Sequence, residues 1–140
     1  MSFRKHIPRE IRQHIHEKTG GMCAYCGKEL TLSATQIDHV IPVQFAETLQ
    51  GMGIDINSDE NLFPACRSCN NYKHSMTIEK MRKAVEAWPD VLNRDSVTYR
   101  NAVRFGMVIP ASHKVLFYFE KIGLRVPDWL SGHWRPEVEV

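Results

Sequence analysis

"ENLFPACRSCNNYKH", residues 60–74, carries a short apolar run into a Cys-x-x-Cys knuckle and follows the second cysteine with two asparagines, a lysine and a histidine. A second knuckle lies upstream: "CAYC", residues 23–26, stands 39 residues before the first. The chain has four cysteines, so none is spare. Two such knuckles can offer Cys23, Cys26, Cys66 and Cys69 as thiolates to one tetrahedral Zn2+ at about 2.3 Å, a closed and therefore structural site. Rival readings are a thioredoxin-like redox pair, which needs only one Cys-x-x-Cys, and coincidentally buried thiols. Disulfides do not persist in a reducing compartment.

Outward from the knuckles, 140 residues are read most simply as a single domain, 1–140, with a motif core over about 20–76 and a helical extension over about 77–140. At 43% hydrophobic and 24% charged the composition is that of a soluble globular protein. No apolar run approaches the ~18 residues that span a membrane, and "MSFRKHIPRE" lacks the apolar stretch of a secretory signal, so a cytoplasmic protein with no membrane partner is expected. The net charge of +2 hides a pattern: residues 1–30 carry +3, 31–65 carry −5, 66–114 carry +5 and 115–140 carry −1. An acidic segment between basic ones suits a cation site beside a polyanion surface, although a solvated mixed surface has the same pattern.

The spacing predicts a helix over 8–18, opened by Pro8 and closed by Gly20 and Gly21, with Ile11 and Ile15 on its core face. His14 and His16 point to different faces of it and read as surface or packing residues. "LTLSATQIDHVIPV" is rich in β-branched residues and predicts one or two strands ending before Pro42. A short helical turn and a loop follow over 44–61, then a strand over "LFPA" and a short helix over "RSCNNYKHSM". Behind the core, "TIEKMRKAVEAWPDVLN" reads as one helix capped by Thr77. A second is capped by Ser96, and a third runs from Pro110 to Gly123. Phe117, Tyr118 and Phe119 read as core, and "VPDWLSGHWRPEVEV" as a docked tail. The fold class is α+β.

"TQIDHVIPVQF", residues 35–45, sets Asp38 and His39 inside an apolar strand. Neighbours on a regular strand face opposite sides, so the pair serves one site only if the strand breaks there. Phosphodiester hydrolysis needs a base to deprotonate water and a cation to offset charge on the phosphate and leaving oxygen. His39 can supply the base. Asp38 and Asn70 supply oxygen ligands suited to Mg2+ or Mn2+. Arg67, Lys73, Lys80, Arg82 and Lys83 follow the second knuckle and are candidates for phosphate contacts, although each taken singly reads as a solvated helix residue.

Taken together, the knuckles, "DH", "ENL" and "CRSCN" resemble the HNH endonucleases, the zinc-knuckle branch of the ββα-metal (His-Me finger) nucleases, over about residues 23–74. The resemblance implies a ββα-metal core, one catalytic divalent ion, and DNA as substrate, with RNA left open. It places Asn61 behind the general base, bonding backbone rather than substrate. In the related colicin DNases a histidine with the spacing of His74 is a metal ligand; here ligation, phosphate contact and plain solvation stay open. An Asp, Asn and His set also admits Ni2+, Co2+ or Zn2+. The oligomeric state is open, a homodimer included. The rival from another class is a non-catalytic zinc-knuckle module that binds nucleic acid or protein, which has no use for Asp38, His39 and Asn70 together.

Overall fold

The computed structural model describes residues 7–126, which divide into two compact units. Unit one comprises Met1–Ile78 with Leu116–Val140, and unit two is Glu79–Val115. The predicted docked tail lies outside the described residues from position 127 onward. Among the described residues no helix is long and apolar enough to cross a membrane.

Unit one opens with α1, Arg9–Glu17, after Pro8, whose φ of −60° and ψ of 154° make it the extended residue before the first turn. Ile15 is the residue of α1 that is fully buried. Gly21, at φ 85°, turns the chain out of the helix; a Cβ there would also stand 3.1 Å from the His16 ring. The first knuckle follows. It is held by Cys23 N–H to the Lys28 carbonyl, 2.8 Å, and Ala24 N–H to the Pro64 carbonyl, 2.9 Å.

β1, Gln36–His39, pairs antiparallel with β2, Leu62–Ala65, in the register Gln36 to Ala65 and His39 to Leu62. Between them lie a 3-10 turn at Val43–Phe45, helix α2, Ala46–Gly51, and a second 3-10 turn at Asp59–Asn61. Ile41, Ala46, Leu49 and Ile56 close this excursion into a small core. β2 is buried along its whole length, which fits the unbroken apolar run "LFPA". Helix α3, Arg67–Lys73, then packs on β1. The strand, strand, helix order is that of a ββα core. The chain returns with α7, Tyr118–Lys121, where Tyr118 N–H and Phe119 N–H donate to the Tyr25 and Ala24 carbonyls of the knuckle. Phe117 and Phe119 pack edge-on against Tyr25, at ring separations of 5.6 and 6.2 Å. Both are buried, so their reading as core holds.

Unit two holds α4, Ile78–Glu86, which starts at the boundary, then α5, Trp88–Asp95, and α6, Val97–Arg104. The single helix expected over 77–93 is therefore two. Pro89 lacks an N–H and its ring crowds the preceding turn, so it sits in the first turn of a new helix instead of inside the old one. Ser96 caps α6 by accepting from Tyr99 N–H at 3.1 Å. The helix expected from Pro110 does not form. Residues 107–117 carry no helix or strand, and only Tyr118–Lys121 is helical before Gly123.

Candidate active site

The second knuckle builds the site's foundation. Cys66 is the N-cap of α3, its sulfur accepting from Cys69 N–H at 3.3 Å, so the residue that would bind metal also fixes where the helix starts. All four sulfurs lie within 4.8 Å of one another, and those of Cys26 and Cys66 are 3.8 Å apart. A tetrahedron with metal–sulfur bonds of about 2.3 Å has edges of about 3.8 Å, so the cluster has the size of a zinc site. The Cys69 thiol pulls the Cys23 thiol down to about 4, against a smaller opposing effect of burial, while Cys23 pushes Cys69 up. A metal bound by all four cysteines would take them as thiolates and release their protons.

A cleft of about 230 Å3 opens beside this foundation, lined by Ile37, Asp38, His39, Pro42, Val43, Asn70, Asn71 and His74. Asp38 and His39 both reach it despite being neighbours, because β1 ends at His39. Four sequence candidates therefore meet in one place. The His39 ring is oriented by Asn57: Nε2 lies 2.8 Å from the Asn57 Oδ1. An amide oxygen only accepts, so this bond assigns the proton to Nε2 and makes Nδ1 the basic nitrogen. Asn61 is fully buried. It accepts from Ile41 N–H at 2.7 Å and donates to the Ile41 and Ile56 carbonyls at 3.2 and 2.8 Å, stitching the loop behind His39 to the strand end.

Asn70 donates its amide to Gln36 Oε1 at 2.7 Å, which leaves its carbonyl oxygen as the end suited to a cation. His74 lines the same cleft but not as a helical residue. α3 ends at Lys73, and His74 sits at its C-cap with φ 46°, exposed, its Nδ1 3.2 Å from Ser75 Oγ. Four positions after Asn70, it shares the cleft with that residue although the helix has already ended.

Asp38 has two partners that the sequence did not announce. Its carboxylate accepts from the Tyr25 hydroxyl and lies 3.0 Å from the Lys73 ammonium, which also donates to the His39 carbonyl at 2.9 Å. Lys73 is 0% exposed and Asp38 4%. The expectation that Lys73 holds phosphate is thus overturned, since a fully buried ammonium cannot reach a ligand in solvent. Burial lowers its pKa, and Asp38 works against that. Burial, then Asp38, raises the Tyr25 phenol well above its usual range, so it stays a donor. Removing one partner of a buried ion pair leaves an uncompensated charge, so Lys73→Met is expected to destabilise the protein by about 3–5 kcal/mol in urea unfolding. An unchanged midpoint would show the pair to be inconsequential. Arg82 is corrected as well: it grips Glu79 at 3.1 Å and the Val115 carbonyl, with its side chain largely covered. Arg67, Lys80 and Lys83 are exposed.

Three features were missing from the sequence reading: Asn57 on His39, Gln36 on Asn70, and the Tyr25–Asp38–Lys73 cluster. Asn57 sat in a run read as loop. For the others only their position next to the motif gave any signal.

The fold and site define a class: a ββα core bearing a four-cysteine cluster, with acid, imidazole and amide groups gathered at one cleft. Residues 23–76 match the family model described as HNH endonuclease. Among curated proteins the chain is 39% identical over 51 residues to the CRISPR-associated endonuclease Cas9 of Corynebacterium diphtheriae, a match covering 36% of this chain and 4% of that protein. Among solved structures it resembles the Type II-C Cas9 enzyme from Actinomyces naeslundii, with a TM-score of 0.45 and 24% identity over 57% of this chain and 8% of that one. The chain therefore spans only a small fraction of the length of either relative.

Proposed function

We propose that the domain hydrolyses phosphodiester bonds of DNA, with His39 as general base and one divalent cation held by Asp38, Asn70 and His74. The observation that carries this reading is that all four residues line one cleft. The donor set fits a cation: a carboxylate keeps a lone pair after Tyr25 and Lys73 have bonded to it, the Asn70 carbonyl is turned away from Gln36, and His74 is exposed at the rim. Mg2+ or Mn2+, when bound, would supply charge stabilisation at the phosphate and leaving oxygen. The chain's own part is positional. Asn57 sets the imidazole, Asn61 fixes the backbone behind it, and Lys73 ties Asp38 to the carbonyl of His39. Arg67, Lys80 and Lys83 are the proposed phosphate contacts, and the four cysteines the proposed structural Zn2+ site.

A plasmid-nicking assay with EDTA and metal add-back tests the reading. Product is expected with Mg2+ or Mn2+, lost with EDTA and restored on add-back. A domain that only binds nucleic acid or protein would retard the plasmid and leave it intact in every metal.

A further inference from the structure

Residues 104–114, "RFGMVIPASHK", are exposed without interruption in unit two. Phe105 is 82% exposed, Met107 79% and Ile109 88%, with Val108 and Pro110 between and beside them. So many bare apolar side chains in one run mark an interaction site rather than ordinary surface. The segment is not loose chain, because both ends are tied. At one end Gly106, at φ 74°, turns the chain out of α6 and Met107 N–H returns to the Ala102 carbonyl at 2.8 Å. At the other, Val115 N–H donates to Glu86 Oε2 at 2.7 Å while Arg82 donates to the Val115 carbonyl. The fold thus holds up an apolar tip instead of burying it.

Charge indicates what the tip meets. From position 96 to 119 the chain has no acidic residue, while Arg100, Arg104 and Lys114 flank the tip. Two acids of the unit are engaged: Asp95 by Arg94 at 2.8 Å and Glu86 by Val115. A partner that suits apolar side chains bracketed by cations presents anions outside and an apolar interior, which describes the phosphates and base stack of duplex DNA. We propose that Phe105, Met107 and Ile109 form a wedge that enters the minor groove between base steps, with Arg104 and Lys114 on the bordering phosphates. The proposal rests on DNA as the substrate and assigns a specificity element outside the cleft. It would favour steps that unstack easily.

The test uses the full chain in the His39→Ala background, so that cleavage does not interfere, and a duplex carrying 2-aminopurine at a pyrimidine–purine step. Binding is expected to raise the 2-aminopurine fluorescence as the step unstacks. Phe105→Ser, Met107→Ser and Ile109→Ser combined should abolish that rise and weaken duplex binding about tenfold. These side chains lie outside the buried core, so circular dichroism should be unchanged. Wild-type-like affinity and fluorescence in the triple variant would overturn the wedge, as would the absence of any rise in the parent. A dimer seen by light scattering that the triple variant dissolves, with DNA binding intact, would assign the tip to a second copy instead and equally overturn it. Failure of the nicking assay alone, with fluorescence and its loss as expected, would remove the cleft's proposed chemistry and leave the wedge standing.

Discussion

Replacing His39 with alanine is expected to lower the nicking rate by about 10²–10⁴-fold while leaving bound zinc and the unfolding transition unchanged. The backbone of His39 is structural, pairing with Leu62 and accepting from Lys73. Alanine keeps both interactions, and the half-buried imidazole is not part of the core. What it removes is the group whose Nε2 proton is assigned to Asn57. Free imidazole added to the variant should restore part of the rate, because a small base can enter the vacated space; a residue that merely held the fold would not be rescued this way. Asn57→Ala should cost less, about tenfold, since the imidazole remains but must find its own orientation. Wild-type cleavage by His39→Ala in Mg2+ or Mn2+ would remove His39 from the mechanism, whatever the geometry around it.

The parts of the fold legible in the sequence were those dictated locally. Two Cys-x-x-Cys knuckles at fixed spacing admit few arrangements, and the sulfurs do come together. "LFPA" could form a short strand and Ser96 could cap a helix, and both do so from local residue type and position. The misreadings fall where distant contacts decide. From Pro110 onward the chain has a proline opening and an apolar pattern that suit a helix. The N–H groups of Tyr118 and Phe119 are instead spent on knuckle carbonyls nearly a hundred positions away in sequence, and only the turn beyond them is helical. The helix expected across Pro89 failed for the opposite reason: the apolar periodicity continues, but the backbone cannot.

In the site the same division holds. Asp38, His39 and Asn70 could be named from the chemistry expected of such side chains, and His74 from the family resemblance; the four line one cleft. Their supporting groups could not, because nothing in "NNYKH" distinguishes a solvated lysine from one folded back against a carboxylate. Only the packing of α3 on β1 sends Lys73 inward to Asp38. The consequence reaches the surface electrostatics. With Lys73 buried and Arg82 occupied, the basic stretch after the second knuckle offers fewer exposed cations than its composition suggests, and the proposed phosphate contacts reduce to Arg67, Lys80 and Lys83.

Loss of the Zn2+ proposed for the four cysteines is expected to unfold unit one, and Cys66 separates the reasons. The sheet has two strands of four residues each, too little to stand without support, and the cysteine cluster joins the first knuckle to the start of α3 beside it. Structural zinc contributes on the order of 10–16 kcal/mol in small zinc-finger peptides, which exceeds the whole stability of a typical small domain. Cys66→Ala and Cys66→Ser should therefore both lose zinc, measured by metal analysis after dialysis, and both lose the cooperative transition in urea. Serine restores an N-cap acceptor for Cys69 N–H, worth about 1 kcal/mol, and that is far too little to compensate. Brief EDTA treatment should behave differently. It should strip the cleft's cation and stop nicking with the circular dichroism intact, whereas stripping the cysteine site should collapse the spectrum together with the activity. A folded, active and metal-free protein after exhaustive dialysis would show that the cysteines hold the core as thiols, with burial and sulfur hydrogen bonds sufficient to hold the knuckles together.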